Sequence, residues 1–188
     1  MTVPTQLDAM SLVEPAAGFF ETDVQAANAI CTEWDHYLGP CNRPYGMQAW
    51  RLDVAGMPIS VAISASTFSS TVAERTRGEV VELARLCTRP DYKWATRVML
   101  RLWREIGAQA WPYWDVTAAV AYSGNKRHPG HIYRHDGWIK VTDRAGAPSG
   151  PNATWSKHRD AEHAASGRKT LWLWNYAAAQ APGQEVAA

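Results

Sequence analysis

The sequence predicts a mixed α/β domain, because apolar segments with strand periodicity alternate with amphipathic segments of helical periodicity. Residues Met47–Val54 and 59–65 are expected to form two consecutive strands, since apolar or β-branched residues alternate or dominate there. Residues 79–86 form a third apolar stretch, followed by a break at 88–91 and an amphipathic helix over 95–107. In such a strand–loop–helix unit, the N-terminus of the helix offers backbone N–H groups to a phosphate-bearing ligand.

The other elements follow from the same kinds of pattern. Residues 21–37 are predicted to form a helix capped by Thr22, and residues 38–46 a loop with two prolines and two glycines. Later strands are expected at 114–122, 137–141 and 171–176, with a helical turn at 131–135. We expect an irregular lead-in over 1–20, a single domain over 21–176 and a disordered tail over 177–188.

The helix predicted over 95–107 has two distinct faces. Its apolar face is expected to carry Val98, Leu100, Leu102 and Ile106. Arginines occupy the opposite face, and Arg101 and Arg104 are expected to be solvated.

Composition narrows the class of protein. The 188 residues carry a formal net charge of +1, whereas a protein that binds duplex DNA by charge alone is usually more basic. Three cysteines without a CxxC pair argue against a disulfide framework and a zinc ribbon, and favour a reducing, cytoplasmic setting. Neither a signal peptide nor a membrane helix is expected.

Two long segments resemble the GNAT acetyltransferases. They are residues 79–101 (EVVELARLCTRPDYKWATRVMLR) and 121–141 (AYSGNKRHPGHIYRHDGWIKV). The resemblance implies a mixed, mostly antiparallel sheet flanked by helices, splayed where the central strand meets its neighbour. It also implies an acyl-CoA or other acyl donor, held by Leu86, Cys87, Arg89, Lys93, Trp94, Ala95, Thr96 and Arg97. The loop at 93–96 has no glycine, although glycines usually let the GNAT backbone approach the pyrophosphate.

Three shorter motifs resemble the Mom-like branch of that superfamily, which modifies phage DNA. They are residues 35–39 (DHYLG), 82–86 (ELARL) and 128–134 (HPGHIYR). This resemblance implies that the acceptor is the exocyclic amine of adenine in DNA and that the modification protects phage DNA from restriction in an infected bacterial cell. The basic cluster of this region is expected to contact DNA phosphates, and it comprises Lys126, Arg127, His128, His131 and Arg134.

Several residues are candidates for the chemistry. His36, with Tyr37 beside it, can accept a proton or bind a metal, although no second metal ligand has diagnostic spacing; otherwise it interacts with the helix dipole. Tyr133 falls where many GNAT enzymes carry a tyrosine near the thioester sulfur. It can give a proton to a leaving group or orient the donor, or it can pack with a satisfied hydroxyl. By resemblance, an acidic residue is expected where Ser123 stands, so a carboxylate is lost there.

Glu82 and Arg85 interrupt an apolar strand, which needs an explanation because buried charge is costly. Three residues apart, they lie on opposite faces unless a bulge intervenes, and one or both side chains can reach solvent at the sheet edge. Glu82 can act as a general base, and Arg85 can bind a carboxylate or phosphate.

The predicted function is therefore acyl transfer to an amine. Two alternatives stay open: an acetyl-CoA-dependent N-acetyltransferase for a small amine or a protein, and a non-catalytic nucleic-acid-binding module. The sequence leaves the oligomeric state open, a dimer included.

Overall fold

The computed structural model describes residues 16–124, 128–145 and 168–176, and seven strands form its central sheet. The strands are β1 (Ala17–Thr22), β2 (Met47–Val54), β3 (Met57–Ala65), β4 (Val80–Thr88), β5 (Ala118–Ser123), β6 (Ile139–Ala145) and β7 (Lys169–Asn175). Their order is β1-β2-β3-β4-β5-β7-β6, and among these strands β4 and β5 alone pair in parallel. The predicted mixed, mostly antiparallel sheet is confirmed.

Two helices cover opposite faces of this sheet. Helix α1 (Val24–Glu33) buries Ala27 and Cys31 against one face. Helix α2 (Ala95–Leu102), which continues into a π-helical turn (Trp103–Gly107), packs on the other face. A third, short helix, α3 (His131–His135), precedes β6. A small hairpin (Thr71–Val72 with Arg75–Thr76) and two 3-10 turns (Arg77–Glu79 and Pro90–Tyr92) complete the elements.

Strands β4 and β5 separate partway along their length. Their pairing runs from Val80 opposite Ala118 to Leu83 opposite Ala121 and then stops. Beyond that point β4 stays paired with β3 as far as Thr88, while β5 follows β7 as far as Ser123. The facing backbone edges of β4 and β5 therefore diverge, as the GNAT resemblance implies, and we call this divergence the split.

A β-bulge in β4 decides which side chains point towards α1. Ile63 of β3 pairs with Arg85, but the next residue, Ser64, pairs with Leu83, so Ala84 is the extra residue. Side chains along a strand normally alternate between the two faces of the sheet, and the extra residue interrupts this alternation. Glu82 and Arg85 therefore lie on the same face of the sheet.

Three predictions about the elements are wrong. Residues 17–20 of the expected irregular lead-in belong to β1, while residues 1–15 lie outside the described residues. Strand β1 pairs along its whole length with β2 and stacks Phe19 on Trp50 with ring centroids 4.9 Å apart. Helix α1 is shorter than 21–37, and its cap is not Thr22. The Asp23 carboxylate accepts hydrogen bonds from the amides of Gln25 and Ala26 instead.

The buried face of α2 also differs from the prediction. Val98 and Ile106 are exposed, whereas Met99, Leu100 and Trp103 are fully buried. Arg104, predicted to be solvated, is 8% exposed because Asp136 supplies a buried counter-charge. Arg101 has the exposed position predicted for it, but its guanidinium also reaches Asp136.

Candidate active site

The split brings together side chains from three distant parts of the chain. His36 and Tyr37 follow α1, and their rings lie 4.9 Å apart. The ring of Tyr37 lies 6.2 Å from that of His128, which in turn lies 5.6 Å from the ring of Tyr133. Tyr133 is also within electrostatic range of the Glu82 carboxyl on β4. Residues proposed from sequence for catalysis are thus neighbours in space.

His36 is half-buried at the end of the turn after α1. Its amide donates to the carbonyl of Cys31, and its Nδ1 accepts a hydrogen bond of 3.3 Å from the amide of Leu38. Burial, with the positive charges of Arg85 and His128, lowers the pKa of His36 from its ordinary 6.5 to about 4. The imidazole is therefore neutral near pH 7 and holds a proton only weakly.

Glu82 is the buried acid of the site, with 5% of its surface exposed. Its Oε1 accepts a hydrogen bond of 2.6 Å from Arg43, a loop residue that the sequence reasoning missed. Burial raises the pKa of the Glu82 carboxyl, and the charges of Arg43, Lys169 and Arg85 oppose that rise. Burial therefore gives the Glu82 carboxyl a higher proton affinity than usual, even though three cationic side chains lie near it.

Arg85 holds the loop that carries His36 and Tyr37. Its guanidinium donates to the carbonyls of Gly39 at 2.7 Å, Pro40 at 2.9 Å and Leu38 at 3.4 Å. A fourth bond reaches the carbonyl of Ala84. Because the N–H groups of its guanidinium already bind these carbonyls, Arg85 is a positioning residue in this geometry. Its positive charge still lowers the pKa of His36 and opposes the pKa rise of Glu82.

Tyr133 is 2% exposed and packs edge-on against Trp138 at 5.3 Å. Burial, and then the neighbouring Tyr37 and Glu82, raise the pKa of its phenol above the ordinary value, so the hydroxyl keeps its proton. Ser123, where a carboxylate is expected by resemblance, accepts a hydrogen bond of 2.8 Å from the indole N–H of Trp172. The Ser123 hydroxyl therefore holds the indole ring of Trp172, which packs beside Tyr133.

Gly130 is the N-terminal cap of α3, within the segment that carries His128 and Tyr133. It has a φ of +84°, and a Cβ there would lie 2.3 Å from Ser123 Oγ and 2.8 Å from the indole nitrogen of Trp172. We expect Gly130→Ala to lower the free energy of unfolding by at least about 2 kcal/mol, since strain and overpacking add.

Gly56→Ala is the matched control for that change. Gly56 also has a positive φ, +75°, but no atom lies within 4 Å of the added Cβ. Urea denaturation should therefore show a smaller loss, about 1 kcal/mol, from backbone strain alone. Equal losses in the two variants would contradict the close packing around Gly130.

His36 also gives the protein an acid-sensitive component of stability. Its folded pKa of about 4 lies below the ordinary 6.5, so the unfolded chain takes up a proton first as the pH falls. Stability should therefore drop between about pH 6.5 and 4, and His36→Gln should make this drop shallower. Denaturation curves across that range test this, with the exposed His131→Gln as control. Identical pH slopes for His36→Gln and wild type would contradict the buried, neutral imidazole.

Solved structures share this architecture at low sequence identity. Arabidopsis thaliana NAA60 in complex with a bisubstrate analogue matches with a TM-score of 0.56 and 10% identity, covering 85% of this chain and 98% of that one. A GNAT-family acetyltransferase from Desulfovibrio desulfuricans matches with a TM-score of 0.55 and 11% identity, covering 85% and 99%. The chain therefore has the GNAT fold. No family model matches the sequence, and no curated protein is detectably similar in sequence.

A third solved structure is that of a longer protein, only part of which matches this chain. N-acetylglutamate synthase from Neisseria gonorrhoeae, complexed with coenzyme A and L-arginine, matches with a TM-score of 0.53 and 12% identity. The match covers 86% of this chain and 34% of that one.

By the GNAT resemblance, the loop between β4 and α2 is the segment expected to bind the donor. Two of its amides donate hydrogen bonds within the loop itself. The amide of Tyr92 donates to the carbonyl of Arg89, and that of Thr96 to the carbonyl of Lys93. Lys93 and Trp94 have helical backbone angles, so the turn itself does not require glycine.

Side chains of the predicted donor-binding residues divide into two groups. Ala95 and Cys87 are buried in the core, so only their backbone atoms can contact a donor, and Leu86 packs on the α2 side. Trp94 is 57% exposed, and Lys93 and Arg97 are exposed beside it. Phosphates at this loop would therefore meet exposed cationic side chains.

The residues predicted to bind DNA also divide. Lys126 and Arg127 lie outside the described residues. His128 packs within the ring cluster of the site, so it is placed for a role there and not on an open surface. His131 and Arg134 are exposed on α3.

Two further observations concern metals and membranes. Among the described residues, no three His, Cys, Asp or Glu side chains are close enough to hold a metal ion, so His36 belongs to no such group there. No helix within residues 16–124, 128–145 and 168–176 has the length and apolar character needed to span a membrane.

Proposed function

We propose that this protein transfers an acyl group from a thioester donor of the acyl-CoA type to an amine, at the split between β4 and β5. The observation that carries the proposal is the buried Glu82 carboxyl at the point where the two strands separate, within electrostatic range of Tyr133, which also has Tyr37 as a neighbour. The unpaired edge of β4 beyond Leu83 can hydrogen-bond an extended amide-bearing arm, and the cations near α2 suit its phosphates.

In the proposed reaction, the amine nitrogen forms a bond with the thioester carbon as Glu82 takes a proton from that nitrogen. The C–S bond then breaks, and the thiolate sulfur takes a proton from the Tyr133 phenol. The proton that Glu82 took from the amine returns to Tyr133, so both groups regain their starting states. Glu82 is the better base, since burial raises its pKa, whereas burial lowers that of His36 to about 4. Arg85 keeps His36 and Tyr37 against the reacting groups through the carbonyls that it binds.

We further propose that the amine is the exocyclic amine of adenine in DNA and that the modification protects phage DNA from restriction. The charges that oppose the pKa rise of Glu82 come from Arg43, Lys169 and Arg85, so the cluster is positive. A protonated alkylamine is repelled there, whereas the exocyclic amine of a base is uncharged at neutral pH and belongs to a polyanion. The exposed His131 and Arg134 lie on the same segment as His128 and Tyr133. The base would have to leave the duplex stack to reach Glu82.

A small amine or a protein is the second candidate acceptor. The observation that favours it is the fold shared with NAA60 and with N-acetylglutamate synthase. An amine that loses its proton before it binds escapes the repulsion described above, so this candidate predicts activity that keeps rising until the pH reaches the pKa of the amine.

Nucleoside mass spectrometry of DNA from cells that express the protein tests the proposal, beside cells that express Glu82→Gln. We expect a new acyl-modified deoxyadenosine with the wild type and none with the variant. In parallel, the purified protein is incubated with acetyl-CoA and either an oligonucleotide or an N-terminal peptide. Acetylation of the peptide alone would overturn the DNA acceptor but leave acyl transfer standing. No modified nucleoside in cells, together with no transfer in vitro, would overturn the whole proposal.

A further inference from the structure

One tyrosine of β5, Tyr122, is partly exposed beside the split. The other five residues of this strand are buried. Tyr122 is also the first residue of β5 beyond the pairing with β4, which ends with Leu83 opposite Ala121. Its side chain therefore lies where the two strands begin to separate.

Tyr122 lies on the same face of the sheet as Glu82. Glu82 pairs with Val120, and side chains of residues paired across two strands point to the same face. Val120 and Tyr122 are two residues apart in a strand that pairs with β7 without a bulge, so they also share a face. Consistent with this, Tyr122 packs against the hydrophobic cluster that contains Val80 and Val120.

Tyr133 lies on the other face of the split. Leu83 and Ala121, the last pair between β4 and β5, belong with Tyr133 to the cluster that α2 covers. Since neighbouring residues in a strand point to opposite faces, this pair points away from Glu82 and Tyr122. The two tyrosines therefore flank the split from opposite sides, and Tyr122 is the one on the side of the buried acid.

The Tyr122 hydroxyl is a neutral group that is open to a substrate. It makes no hydrogen bond within residues 16–124, 128–145 and 168–176, although the phenol lies within electrostatic range of Glu82 and Arg43. Burial, and then the charge of Glu82, raise the pKa of the phenol above its ordinary value, so the hydroxyl keeps its proton. The lone pairs of its oxygen can accept a hydrogen bond.

We propose that Tyr122 is a further catalytic residue that orients the acceptor amine, a role that rests on the proposed function. Its phenol oxygen accepts a hydrogen bond from one N–H of the amine, while Glu82 takes the proton of the other N–H. The nitrogen lone pair is then held towards the thioester carbon in the split. This arrangement uses two N–H groups and therefore selects a primary amine. Tyr122 itself neither gains nor loses a proton.

Steady-state kinetics of Tyr122→Phe test this role, with acetyl-CoA and either an adenine-containing oligonucleotide or an N-terminal peptide as the acceptor. We expect kcat/KM for the acceptor to fall about tenfold, the size of one lost neutral hydrogen bond, and KM for acetyl-CoA to stay unchanged. The preference for the primary amine over its N-methylated counterpart should fall by a similar factor. The pH midpoint of the rate should match that of the wild type, because Glu82 is still present.

Tyr176→Phe is the matched control. Tyr176 is also half-buried, and burial also raises the pKa of its phenol, but its hydroxyl donates to the carbonyl of Arg104 at 2.8 Å. This variant should keep wild-type kinetics and unfold at a lower urea concentration, whereas Tyr122→Phe should unfold at the wild-type concentration. Wild-type kinetics for Tyr122→Phe, measured beside an active wild type, would overturn the role of Tyr122 and leave acyl transfer standing. A wild-type protein that transfers to neither acceptor would overturn the proposed function, and this role with it.

Discussion

Glu82→Gln is expected to lower kcat/KM for acyl transfer by about 10²–10⁴-fold, the range typical of a lost general base. Glutamine keeps the shape and a hydrogen-bond acceptor for Arg43 but cannot take up the amine proton. Since burial raises the pKa of Glu82, the wild-type rate should fall on the acid side with a midpoint above the ordinary 4.5. Steady-state rates across pH, with acetyl-CoA and the acceptor identified by mass spectrometry, provide the measurement.

Asp53→Asn separates this chemical effect from the loss of any buried acid. Asp53 is also 5% exposed and pairs with Arg51 at 2.8 Å, but it lies on β2, with β3 between it and β4. This variant should lose stability and keep its turnover rate. If both variants keep full activity, Glu82 does not act as the base.

Asp136→Ala is expected to cause the largest loss of stability, about 3–5 kcal/mol in the free energy of unfolding. The Asp136 carboxylate accepts from Arg104, from Arg101 at 2.9 Å and from the indole N–H of Trp138 at 3.2 Å. Its removal leaves the Arg104 guanidinium in the core without this buried partner, facing the ring of Trp174 at 3.8 Å. Urea denaturation measures the loss.

Two comparisons sharpen that measurement. Asp91→Ala breaks an exposed pair with Arg89, 3.6 Å long, and should cost less than about 1 kcal/mol. Arg104→Met combined with Asp136→Leu should be more stable than Asp136→Ala, because no uncompensated charge stays buried. A loss for Asp136→Ala no greater than that for Asp91→Ala would show that the pair does not support the core.

The sequence predicts the parts of this fold that depend on local pattern. The strand–loop–helix unit from β4 to α2 follows from apolar periodicity and a proline-containing break, and the structure confirms it. Strand β1 escapes prediction because Phe19 and its neighbours become a strand only through pairing with β2. The sequence predicts a solvated Arg104 because its counter-charge, Asp136, lies 32 residues away in the chain.

The candidate site is predictable in its residue types but not in its pairings. A buried glutamate needs a cationic partner, and Arg43 is the only lysine or arginine in the loop 38–46, but nothing local joins it to Glu82, 39 residues away. The bulge at Ala84 turns Arg85 towards the loop, and no single residue there signals that bulge. His128 follows Lys126 and Arg127 in a basic segment that is typical of a protein surface. Its place in the site becomes visible only in the fold, where its ring packs near those of Tyr37 and Tyr133.

Amide hydrogen exchange on addition of acetyl-CoA tests most directly whether the donor occupies the gap between β4 and β5. We predict slower exchange at the amides of 84–88 that do not bond to β3, with no change along β1. Saturating acetyl-CoA whose binding is verified by calorimetry, combined with unchanged exchange at 84–88, would contradict the account.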